Sequence, residues 1–205
     1  MTVAIMHHGG VAVGAFEELS GKMLGFALSF VAPTRLPNAL GGLSHHSHMA
    51  AVTENYRGLG LGAQLKRAQR DVVLARGYNL MTWTFDPLEA RNANLNVRKL
   101  GCICRTYERN LYGTMADNLN ADLPSDRFEV EWWLDHHRPI FAENQPVREI
   151  EIPTDFQAIK KDGIQKAREW RMRTREQFEQ AFNAGYVVTA FTRLNDRAWY
   201  TLRSL

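Results

Sequence analysis

The sequence predicts an α/β (α+β) fold: a mixed β-sheet flanked by helices, with a C-terminal helix plus hairpin extension. Three observations predict it. Between Met49 and Phe85 the chain reads as a strand, a glycine-rich turn, an amphipathic helix and another strand. Ahead of that, two apolar runs flank a polar stretch ending in Gly21, the pattern of a hairpin. After Leu134 the texture changes to a proline-bounded linker, a charged helix and a terminal hairpin. The division expected is a core over 1–138 and an extension over 139–205.

The elements follow in order. Val11 to Phe16 is a strand, and Glu17 to Gly21 its turn. Lys22 to Val31 is a second strand, closed by Pro33 and Pro37. Leu43 to Val52 is a third. Leu61, Leu65, Ala68, Val72 and Ala75 recur at helical spacing up to Gly77, and Lys66, Arg67, Arg70 and Asp71 make the polar face. Asn79 to Phe85 is a buried-type strand, and a helix from Glu89 to Leu100 stops at Gly101. Cys102 to Tyr107 and Phe128 to Leu134 are strands, separated by a long polar segment of the kind that often carries function. Val147 to Ile152 is a short strand. Lys160 to Asn183 is a long helix with Ile164, Ala167, Trp170, Phe178, Ala181 and Phe182 on its apolar side. Tyr186 to Leu194 and Arg197 to Leu202 form a hairpin about Asn195-Asp196.

Composition excludes several classes. The chain has 205 residues, 45% hydrophobic and 23% charged, with net charge +3. Its basic residues are scattered. Those of the long helix alternate with Asp162, Glu169, Glu176 and Glu179, as on a solvated face rather than a nucleic-acid footprint. The longest apolar stretch, Met23 to Ala32, is far short of the roughly 20 residues that cross a bilayer. Met1 to Gly14 lacks the features of a signal peptide. Cys102 and Cys104 suit neither a disulfide nor a zinc site, and read as reduced thiols of a cytoplasmic protein.

The segment richest in chemistry is Arg57-Gly58-Leu59-Gly60-Leu61-Gly62-Ala63. A pyrophosphate needs several N–H donors converging on it, and the first turn of a helix supplies them along with the positive end of its dipole. Glycines let the backbone come close. No Lys-Ser/Thr pair follows as in a P-loop, and the glycine spacing is not Gly-x-Gly-x-x-Gly. Arg-x-x-Gly-x-Gly fits as Arg57, Gly60 and Gly62. This is the acyl-CoA signature of the GNAT superfamily, which the element order from Val11 to Leu134 also resembles. Arg98-Lys99-Leu100-Gly101 is similar to the end of that superfamily's next helix. The chain further resembles a subfamily of predicted GNAT acetyltransferases with a C-terminal extension. The strings that carry this are His45-His46-Ser47-His48-Met49, Trp83-Thr84-Phe85-Asp86-Pro87-Leu88, Asn120 to Arg127, and Glu131-Trp132-Trp133-Leu134.

The resemblance implies a sheet splayed between the strands on either side of the phosphate turn, with acyl-CoA (acetyl-CoA by default) as co-substrate. Backbone at Ala51 and Val52 would pair with pantetheine. Amides from Arg57 through Gly58, Gly60, Leu61 and Gly62 to Ala63 would hold the pyrophosphate, and Asn92 and Asn96 would touch the CoA arm. The usual opening strand and helices have no counterpart in the ten residues before Val11. The exposed edge this leaves predicts pairing into a homodimer.

Acyl transfer to an amine benefits from a base, a polarised carbonyl and an acid for the thiolate. The family's usual acid is a Tyr at the position of Val97, and Tyr112 is the substitute selected here. Where histone-acetylating members carry a glutamate base, this chain has His46. Strand alternation places His46, His48 and Val52 on one face, and an imidazole suits a base at neutral pH. His45, His46 and His48 cannot all face one ion, so no metal is expected. Asp126 and Arg127 either offer complementary charges to an acceptor or brace the loop through a salt bridge, and Asp86 ends a strand at the cleft. Trp83, Trp132 and Trp133 read as core. The expected function is N-acylation of a small amine or amino acid. The alternative is a catalytically silent acyl-CoA-binding module.

Overall fold

A computed structural model of the chain describes residues 2–113, 123–142 and 145–204. The segment 114–122, which holds most of the long loop and the first residues of the Asn120 to Arg127 string, lies outside the described residues. The chain divides into two compact units, Met1–Trp83 with Glu131–Arg138, and Thr84–Val130 with Pro139–Leu205.

In the first unit a short helix, α1 (Thr2–His7), leads into β1 (Val11–Phe16), β2 (Met23–Pro33) and β3 (Leu43–Val52), a run of antiparallel neighbours. Helix α2 (Leu61–Ala75) packs on all three, and β4 (Leu80–Phe85) lies parallel to β3. Gly25 of β2 passes where no side chain fits: a Cβ there would lie 2.7 Å from the Ala51 carbonyl oxygen and 3.0 Å from Leu65 Cδ1 of α2. Trp83 and Trp132 meet edge to face, both buried.

The stripe that α2 buries is Ala63, Leu65, Lys66, Gln69 and Val73, whereas Ala68, Val72 and Ala75 are exposed. This corrects the face assigned from sequence. Apolar side chains at 61, 68, 72 and 75 formed a plausible stripe, but α2 is turned so that Lys66 and Gln69 face inward. Ser47 Oγ reconciles them to the core, accepting from Lys66 Nζ at 2.7 Å and donating to Gln69 Oε1 at 2.8 Å. The Lys66 ammonium also sits 3.7 Å from the Trp83 ring centroid.

In the second unit, α3 (Ala90–Ala93) continues into a π-helical stretch over Asn94–Lys99. β5 (Ile103–Glu108), β6 (Arg127–Trp133), β7 (Val147–Ile152), α4 (Phe156–Asp162), α5 (Ile164–Asn183), β8 (Tyr186–Leu194) and β9 (Arg197–Ser204) follow. Strand order here is β6-β5-β8-β9-β7, with β8 meeting β5 at Cys104↔Val188. One boundary between the compact units falls at 138/139 and two more at 83/84 and 130/131, so 139–205 groups with Thr84–Val130. The extension's Phe178 packs against Phe128 of β6 at 4.7 Å between centroids, and Tyr200 donates its hydroxyl to the Pro87 carbonyl at 2.9 Å. Cys102 and Cys104 are buried and unbridged.

The long helix expected over Lys160 to Asn183 is two helices. Gly163 is extended (φ 172, ψ 126), and glycine costs about 1 kcal/mol more than alanine to hold in helix. Asp155 caps α4 by accepting from Ala158 N–H at 2.9 Å. The buried stripe of α5 is Ala167, Arg171, Thr174, Phe178 and Ala181, so Arg171 leaves the solvated face assigned to it. Its guanidinium is 2% exposed and grips Asp86 through Nη1 at 2.8 Å and Nη2 at 2.5 Å. Removing one member of a buried pair strands the other's charge, which costs about 3–5 kcal/mol. Arg171→Ala is expected to lose that much stability in urea unfolding, and Arg171→Ala with Asp86→Ala less than the sum of the two single losses.

Candidate functional site

In the first unit the strands part where the sequence pattern places the phosphate turn. β3 and β4 pair only at His45↔Met81 and His46↔Thr82. From Ser47 to Val52 the β4-facing edge of β3 has no pairing with β4. Thr53 N–H donates to the Leu24 carbonyl at 2.9 Å, which fixes the alternation beyond the bulge. Ala51 therefore turns its N–H and C=O to β2, and Ala50 and Val52 turn theirs to the open edge. Of the two residues expected to pair with pantetheine, Val52 presents its backbone there and Ala51 does not. Arg57 Nε lies 3.3 Å from the Val52 carbonyl oxygen.

The turn enters α2 through Gly60, its N-cap, at φ 88 and ψ −4. That left-handed conformation suits glycine, and nothing lies within 4 Å of a Cβ added at Gly58 or Gly60. Arg57 N–H is taken by the Glu54 carbonyl and Ala63 N–H by the Gly60 carbonyl, both within the chain. The N–H groups of residues 58 to 62 have no backbone acceptor among the described residues. No side chain caps this end of α2. The donors expected between Arg57 and Ala63 thus narrow to the middle of the turn, beside the exposed Arg57 side chain.

His45, His46 and His48 separate as alternation requires. His45 is fully buried, its Nδ1 3.1 Å from Ser29 Oγ and its ring edge-on to Tyr78. His46 and His48 both meet Phe30 on the other face, with centroids at 5.5 and 5.6 Å. The register steps from Ser29↔Ser47 to Leu28↔Met49, so His48 is a bulge. Beyond it Val52 lies opposite Gly25, on the face that meets Leu65 of α2. The bulge therefore overturns the expectation that Val52 shares a face with His46. His46 Nδ1 is 3.2 Å from Thr82 Oγ1. Burial, then His48 and Lys66, lower its pKa and keep the imidazole neutral. His48 is exposed.

The other expected residues lie in the second unit. Val97, at the family's usual acid position, is 3% exposed. Tyr112 is 58% exposed, its hydroxyl 2.8 Å from Thr84 Oγ1. Asn92 is exposed and Asn96, in the π-helical stretch, is buried. Asp126 is fully buried and accepts from Arg175 at 2.8 and 2.7 Å, Tyr107 Oη at 2.7 Å and Asn110 N–H at 3.0 Å. Of the two roles open to it, Asp126 takes the brace and presents nothing to an acceptor. Asp86 and Arg127 do line a cavity of about 410 Å³, together with Glu89, Lys160 and Arg171. Lys66 and Arg171, both missed as inward-facing, sit at 62/66/69/73 and 167/171/174/178/181 spacings. That 4-3-4 interval was the available signal. One group with metal-ligand atoms within 4.8 Å of one another, Asp135, His136 and His137, was not selected from sequence either. Among the described residues no helix is long and apolar enough to cross a membrane.

The splayed β3–β4 pair and the glycine-led α2 agree with what comparison with solved structures gives: the chain has a GNAT-like fold. In particular, the ribosomal-protein-S5-alanine acetyltransferase from Vibrio fischeri aligns over 67% of this chain and 69% of its own, at 16% identity and a TM-score of 0.51. The ribosomal-protein-S18-alanine N-acetyltransferase from Escherichia coli covers 67% and 74% at 20% identity and TM-score 0.47. The IAA acetyltransferase from Bacillus cereus covers 63% and 81% at 16% and 0.48. These last two alignments are too loose to add to the assignment. No family model and no curated protein matches the chain.

His45 gives a pH prediction. Burial, with Arg76 second, lowers its pKa from 6.5 to about 4. Between those values the unfolded chain binds more protons, so His45 contributes stability above pH 6.5 that is lost as pH falls towards 4. Urea midpoints are expected to drop from pH 7.5 to pH 5, and to drop less in His45→Gln.

Proposed function

We propose that the protein is an acyl-CoA-dependent N-acyltransferase that moves an acetyl or other short acyl group to the amine of a small molecule or amino acid. One observation carries this reading: the unaccepted N–H groups of residues 58 to 62 open α2 beside a β3 edge that has left β4. Donors and helix dipole suit a pyrophosphate, and the Val52 N–H, on the edge that faces away from β2, suits a carbonyl of pantetheine. Arg57 supplies a cation to the phosphates. His46 serves as base. Neutral at physiological pH, it accepts the proton the amine sheds as nitrogen attacks the thioester carbon and the C–S bond breaks. The leaving thiolate takes up a proton from water.

The buried Val97 favours a second reading, a module that holds acyl-CoA without turning it over. The two are separable. Thermal unfolding with acetyl-CoA or CoA is expected to show a rise in stability of about 2.7 kcal/mol at a hundredfold excess over the dissociation constant. Gly60→Asp is expected to abolish that rise, since it forces a side chain into φ 88 and sets a carboxylate where the phosphate sits. An unchanged affinity in Gly60→Asp sinks the phosphate turn. His46→Ala is expected to lower turnover at least tenfold with CoA binding retained. CoA binding without transfer to any amine selects the silent module. The outer strand β1, with Phe16 58% exposed, is the edge we assign to a homodimer. Light scattering that gives a monomer removes that assignment.

A further inference from the structure

The cavity of the second unit has a composition that the phosphate turn does not account for. Its wall brings together parts of the chain far apart in sequence: Asp86 at the end of β4, Glu89 beside α3, Arg127 at the start of β6, Lys160 of α4 and Arg171 of α5. Three cations face two carboxylates, which leaves one positive charge in excess. The carboxylates are also unequal. Asp86 is occupied: Oδ1 accepts from Arg171 Nη1 at 2.8 Å and from Leu88 N–H at 2.9 Å, and Oδ2 from Arg171 Nη2 at 2.5 Å. Glu89 has Oε1 on Gln157 Nε2 at 2.5 Å, and burial followed by the Asp86 charge raises its pKa.

The cations differ as well. Arg171 is 2% exposed and its Nε has no hydrogen-bond partner, a donor left over on a buried guanidinium that forms part of the wall. Buried donors are nearly always satisfied, so one left unmet in a cavity wall points to a missing acceptor. Arg127 donates Nη1 to the Asp126 carbonyl at 2.8 Å and lies 3.8 Å from Asp86, short of the paired geometry that Arg171 has taken. Its guanidinium carbon lies 5.1 Å from the Tyr112 ring centroid. Phe85 and Phe156 add apolar wall.

We propose that this cavity binds a small molecule carrying both a carboxylate and an amine, an α-amino acid in chemical class. The carboxylate lies against Arg127 and Lys160, within reach of the unmet Arg171 donor. The ammonium lies at Glu89. The excess positive charge favours the carboxylate end, and an ammonium beside the half-buried Glu89 offsets the burial and the Asp86 charge that disfavour its charged form. The C-terminal extension therefore supplies part of a binding site: α4 and α5 contribute Lys160, Arg171 and the Phe156 wall. Calling this amino acid the acyl acceptor rests on the proposed function. Its binding does not.

The test is binding without CoA present. Calorimetric titration of the whole chain uses L-leucine, L-methionine, L-phenylalanine and L-glutamate, then the relatives of the tightest binder lacking the carboxylate or the amine (for phenylalanine, phenethylamine and 3-phenylpropionate). At least one amino acid is expected to bind, and its carboxylate-free relative at least tenfold more weakly. Arg127→Gln is expected to lose at least tenfold in affinity for the amino acid. Lys160→Gln, on the surface of α4, is expected to weaken the same ligand with its circular dichroism unchanged. Glu89→Gln is expected to weaken the amino acid but not its amine-free relative. Failure of all four amino acids to bind, or equal binding of the carboxylate-free amine, overturns the proposal. Amino-acid binding with no CoA-induced stabilisation keeps this site and removes acyl transfer. The converse keeps acyl transfer and removes this site.

Discussion

The second unit depends on the pairing of Arg171 with Asp86. A guanidinium 2% exposed cannot be held in a protein interior without a charge to meet it, and the fork of Nη1 and Nη2 on one carboxylate is the geometry that best offsets its desolvation. Because Asp86 ends β4 and Arg171 lies on the inward stripe of α5, the pair fixes the extension to the strand end. The aromatic cluster of Phe128, Phe178 and Tyr200 supplies the apolar area around it. Such a pair contributes less net stability than an apolar replacement would, but it fixes one arrangement, since any other leaves a buried charge unmet. The cavity wall is a consequence: once Asp86 is taken, Arg127 is left facing the cavity without a full partner.

The first unit shows the same logic with a weaker charge partner. Lys66 enters the core on α2 and is met by Ser47 Oγ and the face of Trp83. Ser47 is the residue immediately after β3 stops pairing with β4. Ser47 Oγ meets Lys66 and Gln69 beside this gap, Gln69 Nε2 is left without a partner, and the edge of β3 beyond it has no pairing with β4. The bulge at His48 then sets which side chains face α2 and which face away. Without it Val52 would point with His46.

Much of this was legible in the sequence. β3 was read at its observed limits, the glycine turn was placed at the N-cap of α2, and the separation of His45 from His46 followed from alternation alone. Other features were not. The bulge costs one residue of register and leaves no mark in composition, so the parity beyond it was read wrongly. Lys66 and Arg171 were set on polar faces because a charge is normally at the surface. Asp126 was offered to an acceptor because its network, from Tyr107 to Arg175, joins residues 68 positions apart in the chain.

The sequence by itself determined the order of elements, the amphipathic helices and the chemistry of the turn at Gly60. Each rests on neighbours a few residues apart, and periodicity and backbone freedom act at that range. Only the tertiary structure decided which cations are buried, which strand edge is free, and which charges line the cavity with Arg127. Those depend on partners distant in sequence, and a charge's place is settled by whether a counter-charge or acceptor meets it in the fold.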